Sequence, residues 1–76
     1  MIYWHKGDQV EISYGGHVVH GEVLRVSRDS SSVFLGFDGC VGGHLGSMHV
    51  EKDAQRVYRS VVTGLTVVLR LPAWLT

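Results

Sequence analysis

QVEISYGGHVVHGEVLRV, residues 9–26, carries the clearest structural signal in the chain. Val10, Ile12 and Tyr14 alternate with polar residues, and this period of two places one set of side chains on one face of a β-strand. Gly15-Gly16 follows, and two glycines between such segments are typical of a hairpin turn whose backbone needs positive φ. The stretch therefore predicts two antiparallel strands, Gln9–Tyr14 and His17–Val26.

Similar segments continue along the rest of the chain. The polar residues 27–32 predict a loop, and a glycine cluster interrupts the chain further on. Gly21 lies inside the long second strand and predicts a bulge or a bend. Residues 54–60 leave two alternatives open, a short helix capped by Asp53 or a strand. The remaining predicted strands are 32–37, 47–51 and 65–70.

Short strands joined by tight turns predict an all-β fold. Seventy-six residues make one domain, which we expect to span the whole chain, residues 1–76. A closed sheet is favoured over an open one because open sheets expose edges that pair with other chains. We therefore expect a small SH3-like antiparallel β-barrel of five to six strands, with one short helical turn if residues 54–60 are helical.

The short chain limits how the fold is stabilised. A domain of this size buries only about 60% of its unfolded surface, and such domains usually need a further source of stability. Cys40 is the only cysteine, which excludes an intrachain disulfide and is typical of a reducing compartment. We see no secretory signal and no apolar run approaching the ~20 residues of a membrane span. The sequence therefore predicts a cytoplasmic homo-oligomer that does not enter membranes.

Both ends of the chain are apolar. Exposed apolar patches tend to mark interfaces, and Trp and Tyr are frequent anchors of protein contacts. We predict that these residues contact another subunit, the alternative being that they fold back on their own barrel. The predicted interface residues are Tyr3, Trp4, Leu71 and Trp74.

Four of the nine residues from Asp38 to Gly46 are glycine. A glycine-rich backbone can approach a phosphate or a planar ligand closely. Phosphate-binding loops normally lead into a helix, however, whereas this cluster leads into a strand-like segment. A tight connection at a barrel corner is therefore the alternative interpretation. If a ligand or partner groove forms here, we expect it to be lined by Gly39, Cys40, Gly42, Gly43 and His44.

The titratable side chains form no catalytic or metal-binding motif. His17 and His20 are three residues apart on a strand and so face opposite sides, and the spacing of five between His44 and His49 has the same consequence. Cys40 and His44 are too few ligands to close a metal site. A thiolate nucleophile needs a substrate cleft as well, and free cysteine is often a small buried residue. We expect no catalytic residue, metal or cofactor.

The charges balance: seven basic and seven acidic residues give zero net charge with neutral histidines. Binding to nucleic acid or to anionic membranes relies on a basic surface, so this balance argues against both. Aromatic residues beside arginines such as Arg25 and Arg56 nevertheless keep a nucleic-acid-binding barrel as an alternative.

Roughly half of the chain follows a glycine-containing pattern: Phe37-Asp38-Gly39, Gly42-Gly43, Gly46, Met48, Tyr58-Arg59-Ser60, Val62-Thr63-Gly64, Val67 and Leu69. This pattern resembles a group of small uncharacterised bacterial proteins. The resemblance implies a bacterial protein of the kind that mobile gene cassettes encode, and it implies no particular activity.

A second pattern lies near the start of the chain: Gly7-Asp8-Gln9-Val10, Gly15-Gly16 and His20-Gly21-Glu22-Val23. It resembles the opening of the plasmid-borne type II dihydrofolate reductases, short SH3-like barrels that assemble as tetramers around a shared pore. The Val-Gln-Ile-Tyr pore segment of that family is replaced here by Met48-His49-Val50-Glu51. The resemblance implies a site built between subunits, and the replaced segment argues against the reductase activity.

Together these observations predict a non-catalytic binding or adaptor module that acts as a homo-oligomer and presents an assembled surface to a protein partner. Two alternatives stay open. One is a multimeric small-ligand protein or enzyme with its site between subunits, and the other is a nucleic-acid-binding barrel.

Overall fold

The structure is a computed structural model and describes residues 3–75. Strands account for most of these residues, and the helical content is a single short 3-10 turn. In chain order the elements are β1 (Gln9–Tyr14), β2 (His17–Val26), β3 (Ser32–Val41), β4 (His44–Lys52), β5 (Tyr58–Ser60), β6 (Thr66–Arg70) and the 3-10 turn Ala73–Leu75.

The six strands form a closed barrel in which every neighbouring pair is antiparallel. Each strand pairs with the next along the chain, and β6 pairs back with β1 through Glu11 with Arg70, Ile12 with Leu69 and Ser13 with Val68. Closure gives each of the six strands a neighbour on both sides, which reduces the sheet edge that could pair with another chain. The prediction of an all-β, antiparallel barrel is confirmed, and its one short helical turn lies at Ala73–Leu75 and not at residues 54–60.

The first hairpin has the predicted bounds. Tyr14 pairs with His17, and Gly15 and Gly16 have φ angles of 49° and 83°. Positive φ at both central residues is the geometry of the two-residue turn that matches strand twist. A second turn of this kind joins β3 to β4 at Gly42-Gly43, with φ angles of 52° and 91°. The glycine cluster is therefore an extended hairpin, with β3 four residues longer than predicted.

The bulge in β2 lies at a different place from the prediction. Gly21 pairs regularly with Val10 and with Phe37, whereas the register between β2 and β3 shifts between Val23 and Arg25. A β-carbon at Gly21 would lie 2.5 Å from the carbonyl oxygen of Gly36. Gly21 therefore allows close contact between strands, and the bulge is formed at Leu24.

The ambiguous segment at residues 54–60 is a turn followed by strand β5. Asp53 organises the turn: its Oδ1 accepts hydrogen bonds from the backbone N–H groups of Gln55 and Val57, both at 2.9 Å. Its Oδ2 accepts a bond from Arg59 Nε at 3.0 Å. The N–H of Val57, followed by Arg59, holds the pKa of Asp53 below its usual value. Asp53 therefore caps a turn and not a helix.

The core consists of the inward-facing side chains of all six strands, together with Trp4 from the segment before β1. Trp4 is only 4% exposed. Its predicted role as an exposed subunit contact does not fit this position, and the alternative, that it folds back on its own barrel, does. The strand residues of the core are Val10, Ile12, Val23, Val33, Leu35, Val41, Met48, Val50, Tyr58 and Val67.

The barrel has two different ends, because successive antiparallel strands alternate in direction. We call the end that carries the β1–β2, β3–β4 and β5–β6 connections the glycine end, comprising residues 13–19, 39–48 and 60–66. The opposite end, here the terminal end, carries residues 3–8, 27–31, 53–57 and 71–75. Ser30 closes the terminal end: its Oγ accepts from Trp4 N at 3.0 Å and its carbonyl from the Tyr58 hydroxyl at 2.7 Å.

Candidate functional site

The glycine end brings together three chain segments that are far apart in sequence. A β-carbon at Gly42 would lie 2.5 Å from Leu65 Cδ2, so the tip of the β3–β4 hairpin packs against the β5–β6 connection. His44 Nε2 lies 3.1 Å from Thr63 Oγ1 across the same contact. From the third segment, the Tyr14 hydroxyl reaches the Cys40 carbonyl oxygen at 3.5 Å. The residues predicted to line a groove, from Gly39 to His44, all lie on the β3–β4 hairpin, which is one of the three segments that form this surface.

The pairing between β3 and β4 separates Cys40 from His44. Cys40 pairs with Leu45, and Val41 pairs with His44. Directly opposed residues of an antiparallel pair share a face, and successive residues alternate between faces. Val41 is buried, so His44 lies on the inward face and Cys40 on the outward face with Leu45. The two side chains therefore do not form a nucleophile–base pair or a shared set of metal ligands.

Cys40 is a free and exposed cysteine. The interpretation of this residue as a small buried apolar side chain is therefore wrong. The reason is the length of the hairpin, which carries β3 beyond the core before the chain turns at Gly42-Gly43.

The three segments of the glycine end contain none of the fourteen Asp, Glu, Lys and Arg residues, and two charged residues flank them: Asp38 precedes Gly39, and Arg59 pairs with Thr66. The same segments carry aliphatic side chains that are largely exposed: Leu45 at 82%, Val62 at 79%, Val18 at 57% and Val61 at 47%. Each of the three connections contributes at least one of them. The three segments therefore combine exposed apolar side chains with a lack of Asp, Glu, Lys and Arg residues.

The other predicted interface residues lie at the opposite end of the barrel. Tyr3, Leu71 and Trp74 flank the strands at the terminal end, where Tyr3 is 53% and Trp74 65% exposed. Charged residues such as Arg28 and Arg56 belong to the same end. The structure therefore does not bring the predicted interface residues together with the predicted groove residues.

A groove on the side of the barrel was not anticipated as a unit. It has a volume of about 370 Å³ and runs along β2, β3 and β4 near the terminal end. Arg25 pairs with Phe34, and Phe34 pairs with His49, so three planar side chains lie side by side. The Arg25 guanidinium carbon is 5.8 Å from the centre of the Phe34 ring, and the Phe34 and His49 rings are 5.9 Å apart.

The Leu24 bulge creates this row. Val23 pairs with Leu35, and an unbroken register would then pair Arg25 with Val33, which faces the core. The extra residue instead pairs Arg25 with Phe34 on the outer face. A single bulge thus changes the face on which every later residue of the strand lies. No residue in this part of the sequence signals the bulge, which is why the row could not be predicted.

A loop rich in hydrogen bonds borders the groove. The Asp29 carboxylate accepts bonds from the hydroxyl and the N–H of Ser31 and from the hydroxyl of Ser27. These bonds, the Ser31 hydroxyl contributing most, lower the pKa of Asp29 from 3.8 to about 2. Burial, followed by the nearby Asp29 charge, raises the pKa of Tyr58, whose hydroxyl holds the same loop. The loop is therefore fixed in place beside the groove at neutral pH.

The histidines form isolated contacts. His20 Nε2 lies 3.9 Å from Glu11 Oε2, and His49 Nε2 lies 3.9 Å from Glu51 Oε2. Among residues 3–75 there is no group of three or more His, Cys, Asp or Glu side chains able to hold a metal ion. In the same part of the chain, no helix has the length and apolar character needed to cross a membrane.

Comparisons with protein-family models, with curated proteins and with solved structures found no significant match to this chain. The function therefore has to be argued from the surfaces described above.

Proposed function

We propose that the protein is a non-catalytic binding module that works as a homo-oligomer, in which the glycine ends of two barrels face each other. The observation that carries the proposal is the absence of all fourteen formal charges from the three segments of that end. Four exposed aliphatic side chains occupy the same end. Exposed apolar side chains that are grouped at one end of a molecule tend to mark a protein contact.

The neutrality of the glycine end supports a second copy as its partner. In a two-fold contact each residue patch meets the same patch of the other subunit, so any charge near the axis would face a like charge. Like charges that face each other across an interface are costly. A contact centred on the three uncharged segments keeps this penalty small, and burying Leu45 and Val62 would contribute the stability that a small core lacks.

This arrangement leaves both terminal ends pointing outward. Tyr3, Leu71 and Trp74 would then be available on each side of the assembly, and Trp and Tyr are common anchors of protein interfaces. We therefore propose a two-headed adaptor, with the glycine ends holding the subunits together and the terminal ends contacting a protein partner.

The first experiment measures oligomeric state. Native mass spectrometry and light scattering after gel filtration should give a multimer for the wild type, and Leu45→Glu with Val62→Glu should give a folded monomer. Trp74→Glu is the matched control, because it places the same charge on an exposed residue of the opposite end. A monomeric wild type would overturn the proposal. A control variant that dissociates while the double variant stays assembled would move the contact to the terminal end.

A second readout concerns Trp74 itself. Acrylamide should quench its emission equally well at low and high protein concentration, since the proposed contact leaves it exposed. Trp74→Phe supplies the background emission of the buried Trp4. Protection of Trp74 in the assembled protein would contradict the proposed arrangement.

A further inference from the structure

The groove along Arg25, Phe34 and His49 lies on the side of the barrel, and none of its lining residues belongs to the three segments of the glycine end. Its volume of about 370 Å³ falls in the lower part of the range typical of small-molecule sites, ~300–1,000 Å³. The side chains that line it are those of Arg25, Val26, Ser27, Ser32, Phe34 and His49.

The middle of the groove offers a flat apolar surface. Phe34 is half-buried at the centre of the row, and the ring of His49 is inclined to it by 32°. Ser32 Oγ lies 2.6 Å from His49 Nε2 and fixes the orientation of that ring. All three residues belong to paired strands, so the surface is rigid before any ligand arrives. A planar aromatic group stacks favourably on such a surface.

One side of the groove provides a cation. Arg25 is exposed, and within residues 3–75 no carboxylate forms a salt bridge with it. Its only described contact is with the face of Phe34. A guanidinium in this situation has its hydrogen-bond donors free for a carboxylate, which it binds in a bidentate manner.

Nearby carboxylates limit the charge of the ligand. Glu51 Oε2 lies 3.9 Å from His49 Nε2, and Asp29, ionised above a pKa of about 2, accepts a hydrogen bond from Ser27. A ligand with several negative charges would be repelled by both. Arg25 is the only Arg or Lys among the described residues that line the groove, and one cation matches a single negative charge.

We propose that this groove binds a small planar aromatic monocarboxylate, with the ring against Phe34 and the carboxylate accepting hydrogen bonds from Arg25. Val26 provides apolar contact beside the ring. Ser32 does not contact the ligand in this arrangement but holds His49 in position.

The test uses 2-naphthoate as the probe and 2-naphthalenemethanol, its neutral analogue, as the control ligand. In heteronuclear NMR titrations of the full chain, 2-naphthoate should give saturable shifts concentrated at the amides of Arg25, Phe34 and His49. The alcohol should bind more weakly by about tenfold or more, because it lacks the charge-assisted hydrogen bonds. Equal affinities for the two probes, or shifts spread evenly over the barrel, would overturn the proposal.

Variants separate the two contributions. Arg25→Gln should weaken 2-naphthoate and leave the alcohol unchanged, whereas Phe34→Leu should weaken both. Arg56→Gln, an exposed arginine in the β4–β5 connection, is the matched control and should change neither. Tighter binding of a thymidine oligonucleotide, with a steep loss of affinity in salt, would replace the proposal with single-strand recognition. Gel filtration of the same samples reports the oligomeric state, so a change in probe binding can be distinguished from a change in assembly.

Discussion

At the residue scale, Gly21 shows how narrowly the barrel constrains a single position. It is paired on both sides, and β2 runs so close to β3 that a β-carbon would lie 2.5 Å from the Gly36 carbonyl oxygen. That atom is part of the backbone and cannot rotate away. The absence of a side chain is therefore a packing requirement at this position.

We expect Gly21→Ala to destabilise the protein by about 1–3 kcal/mol, the usual cost of an added atom in a well-packed place. Equilibrium unfolding in urea measures the change. Glu22→Ala is the matched control, since Glu22 is the exposed neighbour on the same strand, and it should cost about 0.5 kcal/mol or less. If the two variants were equally stable, the close contact between the strands would not exist.

The tryptophans illustrate what a sequence reveals about single residues. Trp4 and Trp74 occupy similar apolar ends of the chain, yet one is 4% and the other 65% exposed. Trp4 is attached to the loop between β2 and β3, where Ser30 Oγ accepts a hydrogen bond from Trp4 N at 3.0 Å. Trp4 and Ser30 are 26 positions apart in the sequence, so no local sequence pattern predicts this contact.

At the scale of elements, the predictable parts are those whose signals are local. The first hairpin follows directly from alternation and from Gly15-Gly16, and its bounds are correct. The bulge at Leu24 depends on how β2 pairs with β3. The row of Arg25, Phe34 and His49 along the groove therefore could not be predicted from the sequence. The candidate surface at the glycine end was anticipated only in part, through its glycine cluster.

The two glycine turns permit a matched test of packing. Gly15 and Gly42 have nearly equal φ angles of 49° and 52°, and each occupies the first central position of a two-residue turn. Asn-Gly is a favoured sequence for such turns. A β-carbon at Gly15 meets nothing within 4 Å, whereas one at Gly42 lies 2.5 Å from Leu65 Cδ2.

Gly15→Asn should therefore leave the stability within about 0.5 kcal/mol of the wild type. Gly42→Asn should lower it further, by up to about 1 kcal/mol, because the tip of the Leu65 side chain must move. Thermal and urea unfolding of both variants provide the comparison. Equal effects of the two substitutions would mean that the hairpin tip does not pack on the β5–β6 connection.

The loop between β2 and β3 gives an acid-dependent prediction. The folded-state pKa of Asp29, about 2, lies below the ordinary value of 3.8. The contribution of Asp29 to the free energy of unfolding is therefore present above pH 3.8 and is lost as the pH falls towards 2. Asp29→Asn should show a smaller loss of stability over this interval than the wild type, measured as urea midpoints.

Asp38→Asn is the control for this experiment, since Asp38 is an exposed carboxylate of β3. It should retain the acid dependence of the wild type. An Asp29→Asn variant with an unchanged acid dependence would show that the hydrogen bonds from Ser31 and Ser27 do not persist in solution.

At the scale of the whole molecule, the charged residues are distributed unevenly along the barrel axis. The three neutral segments are separated by long charged stretches in the sequence, and only the alternating direction of the strands collects them at one end. A composition with zero net charge gives no indication of this division. The division matters because the three segments that would meet in the proposed contact carry no like charges to repel each other.

Cys40 provides a chemical probe of that contact. It lies on the outward face of the hairpin beside Leu45, which is 82% exposed in the single subunit. Assembly through the glycine end would cover both residues, and mass action makes the covered fraction rise with protein concentration. Alkylation of Cys40 by iodoacetamide, followed by mass spectrometry, should therefore slow down as concentration increases. Glutathione in the same mixture corrects for consumption of the reagent.

Leu45→Glu should keep the alkylation rate high at every concentration, because it places a charge within the proposed contact. Trp74→Glu, at the opposite end of the barrel, should retain the concentration dependence of the wild type. A wild-type rate that stays constant while gel filtration records assembly would locate the subunit contact away from Cys40. The glycine end would then be available to a different partner, and the orientation proposed for the two-headed adaptor would have to be reversed.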